Sequence, residues 1–206
     1  MSTSASPFRS PTDADNADPE SPRLAPIDHP SSWKAKLTYA MARWQQGTVI
    51  TPLKVLWARM PEGLRLAYEM NALEDAVTLD PELHLLVKEL VATINGCSFC
   101  QDIGVAEAPT DELPTDKLEA LLAYETHPAF SDAERAALAY VEEATREVEV
   151  TDDTFEALRP YFSEREIVEL TWLMALENYY NHMNRALNIG SDNLCEIDLP
   201  PLRTDE

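Results

Sequence analysis

The chain has 206 residues, and its 37 acidic against 16 basic side chains leave a formal net charge of −21. Nucleic acids and anionic membrane surfaces are bound by clustered lysine and arginine, so this composition argues against both as partners. The acidic residues are spread along the chain rather than collected in one tail, which favours a hydrated, halophile-like surface adapted to high salt.

Composition also bounds the fold class. The chain is 45% hydrophobic, has only 5 glycines and lacks the alternating pattern of half-buried strands. We therefore predict an all-α fold with one main domain. No apolar run reaches the roughly 18 residues that a membrane span needs, and no basic segment followed by an apolar one begins the chain. Together with an odd number of cysteines, three, these features predict a cytoplasmic protein.

The predicted elements begin after an N-terminal arm. Six prolines lie between residues 7 and 30 among small polar side chains, which predicts disorder over residues 1–31. An all-helical domain is predicted over 32–195, and 196–206 is predicted to be a C-terminal tail. The last residues, from about Asp192, are free in this interpretation to wrap a neighbouring subunit. Helix starts and stops predict helices at 33–46, 52–60, 64–76, 81–94, 97–108, 117–125, 133–148, 152–159 and 165–187.

The chemistry is expected at Asn95-Gly96-Cys97-Ser98-Phe99-Cys100. Gly96 can take the left-handed conformation that ends the preceding helix, so Cys97 opens the next helix and Cys100 lies in its first turn. Unpaired N–H groups and the helix dipole favour a thiolate there. Two cysteines at this spacing can bridge one helical turn, which favours a redox-active dithiol. The alternative is two buried cysteines that only pack.

A metal site is a weaker interpretation of the same pair. Zinc would need four ligands, and the sequence has no second C-x-x-C and no H-x3-H. We therefore predict no metal and no cofactor apart from the redox-active Cys97–Cys100 disulfide.

Thiol chemistry needs a group that moves a proton. Glu89 lies on the thiol side of its helix, about two turns before Cys97 and off the apolar stripe, so it is a candidate relay. Its alternative is an exposed carboxylate. Asp102 follows Cys100 by two residues, and such positions do not face each other, so contact is not expected. His84 is expected to be exposed.

The last long helix carries polar residues in an otherwise apolar segment. Asn181, Asn184 and Arg185 share nearby faces by their spacing. They predict a polar wall facing the thiol pocket, or alternatively a hydrogen-bonded cap or subunit contact. His182 is a candidate proton donor.

These residues resemble the carboxymuconolactone decarboxylase superfamily, in its alkylhydroperoxidase (AhpD-like) branch. The resemblance covers about 49–195 and rests on Leu79-Asp80-Pro81, Asn95-Gly96-Cys97-x-x-Cys100 and the segment 175–187. It implies an oligomeric helix bundle and an antioxidant peroxidase cycle. Cys100 would attack a peroxide, Cys97 would resolve the sulfenic acid, and a dithiol partner, a lipoyl-bearing protein in the best-known members, would reduce the disulfide.

This chain departs from the family at the two residues that relay protons. The family has a Glu twelve residues before the first Cys and a His four residues after the second, where this chain has Leu85 and Gly104. Glu89, one turn from Leu85, is expected to substitute in part, and a rate loss of about 10²–10⁴ would follow without a relay. The leading hypothesis is a thiol-dependent oxidoreductase that uses Cys97 and Cys100, either a weak peroxidase or a dithiol-disulfide reductase. Two other functions stay open: a lyase acting on a small lactone or acid without the sulfurs, and a non-catalytic oligomeric module with a decayed site.

Overall fold

The computed structural model of the protein describes residues 21–107 and 114–195. Within them every regular element is helical, which confirms the all-α prediction. A π-helical turn, Leu53–Trp57, follows the first helix, and a 3₁₀ turn, Leu121–Ala123, follows the fifth. The α-helices are α1 Trp33–Gln46, α2 Gly63–Glu74, α3 Pro81–Ile94, α4 Ser98–Glu107, α5 Thr115–Glu119, α6 Asp132–Glu147, α7 Asp152–Leu158 and α8 Glu164–Ala186.

Local sequence explains where these helices begin. The Ser131 hydroxyl accepts the Glu134 N–H while the Glu134 carboxylate accepts the Ser131 N–H, and Ser163 forms the same capping box with Glu166. Asp80 caps α3 by accepting two backbone N–H groups of its first turn. The predicted starts of α3, α6 and α8 are therefore confirmed to within one residue.

One predicted helix is divided. Residues 117–125 were expected to form a single helix, but α5 ends at Glu119 and a 3₁₀ turn follows. Leu118 and Leu121 are both buried, and the tighter 3₁₀ geometry brings side chains three residues apart onto one face. Both leucines are thus buried although the α-helix is interrupted between them.

The core is built around α3, which packs against α4, α6 and α8. Its predicted apolar face is buried, including Leu86, Val87 and Leu90, which meet Leu138 of α6 and Leu170 of α8. Burying one such side chain stabilises the fold by about 1.5–3 kcal/mol. Because α3 is held on three sides, the turn at its end places the start of α4 rigidly.

The N-terminal arm differs from the prediction over residues 21–31. Residues 1–20 lie outside the described part of the chain, but residues 21–31 run along the helical body. The Arg23 N–H donates to the Leu187 carbonyl at 2.8 Å, and the Ile27 N–H donates to Lys54 at 3.1 Å. The Tyr39 hydroxyl donates to the Ile27 carbonyl at 2.6 Å. Composition predicted disorder here because it does not report pairing through the backbone.

The C-terminal segment also differs from the prediction. Residues 191–195 pack on α4 of their own chain, whereas 196–206 lie outside the described residues. The Asp102 carboxylate holds this segment by accepting hydrogen bonds from Ser191 Oγ and from the backbone N–H groups of Asp192, Leu194 and Cys195. Asp102 therefore anchors residues 191–195 to α4.

In the described part of the chain, no helix has both the length and the apolar character to cross a bilayer.

Candidate functional site

The turn between α3 and α4 places the two cysteines. Asn95 caps α3, and Gly96 follows in the left-handed conformation (φ 62°), as the sequence predicts. The Cys97 N–H donates to the Ala92 carbonyl at 2.8 Å, and its own carbonyl accepts the Gln101 N–H at 3.1 Å. Cys97 thus lies directly before α4, and Cys100 lies in the first turn, where free N–H groups and the helix dipole favour a thiolate.

A disulfide joins Cys97 and Cys100, whose Cα atoms are 5.3 Å apart. The two residues differ in their surroundings. Cys97 is 0% exposed, whereas Cys100 is 6% exposed and contributes to the wall of a cavity. A small molecule in that cavity therefore meets Cys100 rather than Cys97.

The cavity has a volume of about 470 Å³ and lies among α1, α2, α4, α8 and the π-helical turn. Much of its wall is apolar, with Leu53, Leu56 and Trp57 of the π-helical turn facing Phe99 and Ile103 of α4. The charged residues of the wall are Glu74, Asp75, Lys88, Glu107 and Glu177. A mostly apolar cavity with a few convergent polar groups is typical of a small-molecule site.

Asn184 of α8 is the polar side chain that contacts the reactive sulfur. Its Nδ2 donates to Cys100 Sγ at 3.4 Å. Its Oδ1 is buried and has no hydrogen-bond partner among the described residues. A donor aimed at the sulfur stabilises a thiolate relative to a thiol, and the open acceptor can take a hydrogen bond from a bound molecule.

Asn181, one turn earlier in α8, connects the Asn95-Gly96 turn with Glu177 through two hydrogen bonds. Asn95 Nδ2 donates to Asn181 Oδ1 at 3.0 Å, and Asn181 Nδ2 donates to Glu177 Oε1 at 2.6 Å. Asn181 is fully buried, so this chain of hydrogen bonds fixes the turn that carries Cys97 against α8.

Asn181 is not part of the cavity wall, and the other two predicted residues of α8, Arg185 and His182, also lie outside it. Arg185 is exposed and its guanidinium lies over Gly96. His182 is also exposed, and it does not contact the cavity. His182 follows Asn181 by one residue, which turns it about 100° around the helix, away from the face that carries Asn181 and Asn184.

Glu89 is buried rather than exposed. It is 3% exposed, and its Oε1 has no hydrogen-bond partner among the described residues. That oxygen lies against Gly104, where an added Cβ would overlap it. Gly104 lines the cavity one helical turn after Cys100, so the carboxyl group of Glu89 lies directly behind the wall. Burial, and then the charge of Glu177, raise the pKa of Glu89 well above its ordinary value, against a smaller opposing effect of Lys88.

Glu177 is an acidic residue of the cavity that was not among the predicted site residues. It is 4% exposed and lines the cavity. Burial raises its pKa, Lys88 and the hydrogen bond from Asn181 lower it, and the balance is about 7. Glu177, Asn181 and Asn184 are spaced i, i+4 and i+7, so their shared face on an otherwise apolar helix was the available signal.

A charged cluster lies beside Glu177. Lys88 Nζ is 2.5 Å from Glu74 Oε1, and His84 Nε2 is 3.1 Å from the same oxygen. Burial raises the pKa of Glu74, but the hydrogen bonds from His84 and Lys88 outweigh it and bring the value to about 2. His84, which was expected to be exposed, is therefore half-buried because it pairs with Glu74. Within residues 21–107 and 114–195, no three His, Cys, Asp or Glu side chains are grouped to hold a metal ion.

Comparison with known proteins gives a family match and a close relative. The model of the carboxymuconolactone decarboxylase family matches residues 62–143, which include both cysteines. The uncharacterized protein YnjA of Escherichia coli K12 is 32% identical over 174 residues, covering 83% of this chain and 91% of YnjA.

Solved structures share the fold. A protein of unknown function from Agrobacterium tumefaciens, proposed to be an antioxidant defence protein AhpD, is 28% identical with a TM-score of 0.62. The match covers 66% of this chain and 96% of that protein. The debrominase Bmp8 in its apo form has a TM-score of 0.68 and 19% identity, covering 87% of this chain and 97% of Bmp8. At that identity the likeness to Bmp8 shows the fold alone.

Proposed function

Because the chain belongs to the carboxymuconolactone decarboxylase family, in its AhpD-like branch with a C-x-x-C pair, we propose that it is a thiol-dependent peroxidase that uses Cys97 and Cys100. The observation that carries the proposal is the position of Cys100. Its sulfur meets a small-molecule cavity, lies in the first turn of a helix and accepts a hydrogen bond from Asn184. These three features favour a reactive thiolate.

The first step is attack of the Cys100 thiolate on the terminal oxygen of a peroxide, ROOH. A bond forms between sulfur and that oxygen, the O–O bond breaks, and RO⁻ leaves and takes a proton to become the alcohol ROH. Cys100 is oxidised to the sulfenic acid. The hydrogen bond from Asn184 Nδ2 orients the sulfur and stabilises its thiolate form. A thiolate attacks a peroxide faster than a thiol does.

The second and third steps return the enzyme to its dithiol form. The Cys97 thiol attacks the sulfenic sulfur, which forms the Cys97–Cys100 disulfide and releases water. An external dithiol, such as a lipoyl-bearing protein, then exchanges with the disulfide and is itself oxidised. The sum is one peroxide and one dithiol converted into one alcohol, one water and one external disulfide.

We assign the proton for the leaving alkoxide to Glu89 and Glu177. The raised pKa of Glu89 favours its protonated form, which can donate a proton and does not repel the Cys100 thiolate. Glu177 lines the cavity with a pKa of about 7, so it can reprotonate Glu89 from solvent. Gly104 makes this possible because a side chain there would displace the Glu89 carboxyl group. The pair thus replaces the family relay residues that this chain lacks.

We also propose a homo-oligomer in which a second copy covers α1. Helix α1 contains three basic side chains, Lys34, Lys36 and Arg43, and no acidic one, whereas the chain as a whole has a net charge of −21. Its charge is therefore complementary to the acidic surface of another copy. Its large exposed apolar side chains, spaced along the helix, are Trp33, Leu37, Met41 and Trp44. Light scattering after size-exclusion chromatography should show an oligomer that Leu37→Glu dissociates; a wild-type monomer would refute the assembly.

The proposed setting is the cytoplasm, where dithiol reductants keep such pairs reduced. Neither a nucleic acid nor a membrane partner is proposed, because the acidic surface repels both.

The test is consumption of cumene hydroperoxide with dihydrolipoamide as reductant. Wild type should turn over, and Cys100→Ser should lose turnover. Cys97→Ser should form a sulfenic acid at Cys100 that a dimedone-type probe labels, without cycling. Unchanged turnover in Cys100→Ser would refute the proposal. If the double cysteine variant still converted a lactone substrate, a lyase would replace it, and no activity with normal folding would favour a decayed site.

A further inference from the structure

The charged side chains of the cavity indicate that the protein discriminates between charged and uncharged peroxides. This inference rests on the proposed peroxidase function. We infer that the enzyme accepts uncharged hydroperoxides with an apolar body and discriminates against those that carry a carboxylate. Four acidic side chains line the cavity, and Lys88 is the one basic side chain in its described wall.

The single lysine is not available to a ligand. Lys88 Nζ already lies 2.5 Å from Glu74 Oε1, and its charge also lowers the pKa of the buried Glu177. Glu74 stays ionised because of that pairing. A ligand carboxylate would therefore enter a space with an excess of negative charge, and no arginine among the described wall residues could pair with it.

Two of the acids lie where the cavity opens to solvent. Asp75 and Glu107 are exposed, yet both belong to the cavity wall. Rim charges act at a distance and slow the approach of ligands of the same sign, and salt screens this effect. The discrimination should therefore be strongest at low ionic strength.

The other side of the cavity suits a hydrocarbon body. The side chains of Leu53, Leu56, Trp57, Phe99, Ile103 and Met183 form an apolar wall, and a volume of about 470 Å³ holds a molecule far larger than hydrogen peroxide. Each methylene that such a wall buries improves binding by about 4-fold.

The peroxide group has its own place beside Cys100. Asn184 is buried, lines the cavity and donates to Cys100 Sγ, while its Oδ1 has no partner in the described structure. That oxygen can accept the O–H of a neutral hydroperoxide. The terminal peroxide oxygen would then lie next to the sulfur, with the apolar body directed along the opposite wall.

A matched pair of substrates tests the inference. The pre-reduced full chain is mixed with a medium-chain hydroperoxy acid or with its methyl ester, which share the same peroxide and hydrocarbon. The rate of Cys97–Cys100 oxidation is measured at pH 8 in low salt, by quenching with a thiol-alkylating reagent and mass analysis. We expect the ester to react at least about 10-fold faster than the acid.

Charge-removing variants assign the effect to the cavity. Asp75→Asn/Glu107→Gln should raise the acid rate severalfold relative to the ester rate. The matched control, Glu119→Gln/Glu147→Gln, removes two exposed charges outside the cavity wall and should leave the ratio unchanged. Added salt should narrow the wild-type ratio.

The outcomes separate the two proposals. Equal rates for acid and ester would overturn the charge selection and leave the peroxidase proposal standing. A ratio that both double variants change equally would also overturn it, because net charge rather than the cavity would then decide. Failure of every peroxide to oxidise the cysteines would overturn both.

Discussion

Substitution of Gly104 by alanine tests the contact on which the proposed proton transfer depends. Gly104 lies inside α4, where alanine is favoured over glycine by about 1 kcal/mol. An added Cβ would, however, overlap Glu89 Oε1, and Glu89 is buried between α3 and α4. Overpacking of a buried site costs about 1–3 kcal/mol. We therefore expect Gly104→Ala to destabilise the protein by roughly 0–2 kcal/mol, the difference between the two effects.

The sign of the effect should reverse when Glu89 is removed. In a Glu89→Ala background the new methyl group enters space that the carboxyl group has left. Only the helix propensity then remains, and Gly104→Ala should stabilise the protein by about 1 kcal/mol. The coupling between the two positions is therefore expected to be about 1–3 kcal/mol.

Urea unfolding of the four proteins measures this cycle, with the midpoint compared at constant m. Gly104→Ala alone should also slow oxidation of Cys100 by peroxide, because it displaces the proposed proton donor. An equal gain in stability from Gly104→Ala in both backgrounds would show that Glu89 does not occupy the space beside Gly104, and the proposed relay would fail with it.

Three further predictions follow from the same geometry. Asn184→Ala removes a hydrogen bond to the charged sulfur that is worth about 1.5–3 kcal/mol, so the pKa of the Cys100 thiol should rise by roughly 1–2 pH units. The pH profile of thiol alkylation measures this pKa. An unchanged profile would contradict the role of Asn184 in stabilising the thiolate. Burial raises the pKa of Glu177 from 4.5 to about 7, so its contribution to stability is present below pH 4.5 and is lost as the pH rises through 7. Glu177→Gln should therefore be more stable than wild type at pH 8, by up to roughly 3 kcal/mol, and no more stable at pH 4.5; urea unfolding at the two pH values checks this, and a constant difference would refute it. Asp102→Ala removes the acceptor that holds the segment after α8 and should lower the unfolding free energy by about 2–4 kcal/mol in urea, whereas an unchanged midpoint would show that this anchor does not stabilise the fold.

Local signals in the sequence predicted the elements that carry the cysteines. The Asp80-Pro81 start, the apolar face of α3 and the left-handed Gly96 are properties of a few adjacent residues. Capping, periodicity and a positive φ need no information from the rest of the chain, so the position of Cys100 in the first turn of α4 could be deduced. The segment 21–31 was mispredicted because its order comes from hydrogen bonds to residues far away in sequence.

The surroundings of the sulfur depended on the tertiary structure. Periodicity places Glu177, Asn181 and Asn184 on one face of α8, but it does not say which helix that face meets. Glu89 and Gly104 lie on different helices, and only the packing of α3 on α4 brings the carboxyl group to the residue that has no side chain. Neighbouring residues alone thus predict most of the helices, the dithiol and its place at a helix start. Which acids are buried and have raised pKa values depends on the tertiary structure, because burial and charge pairing arise between segments that the chain brings together on folding.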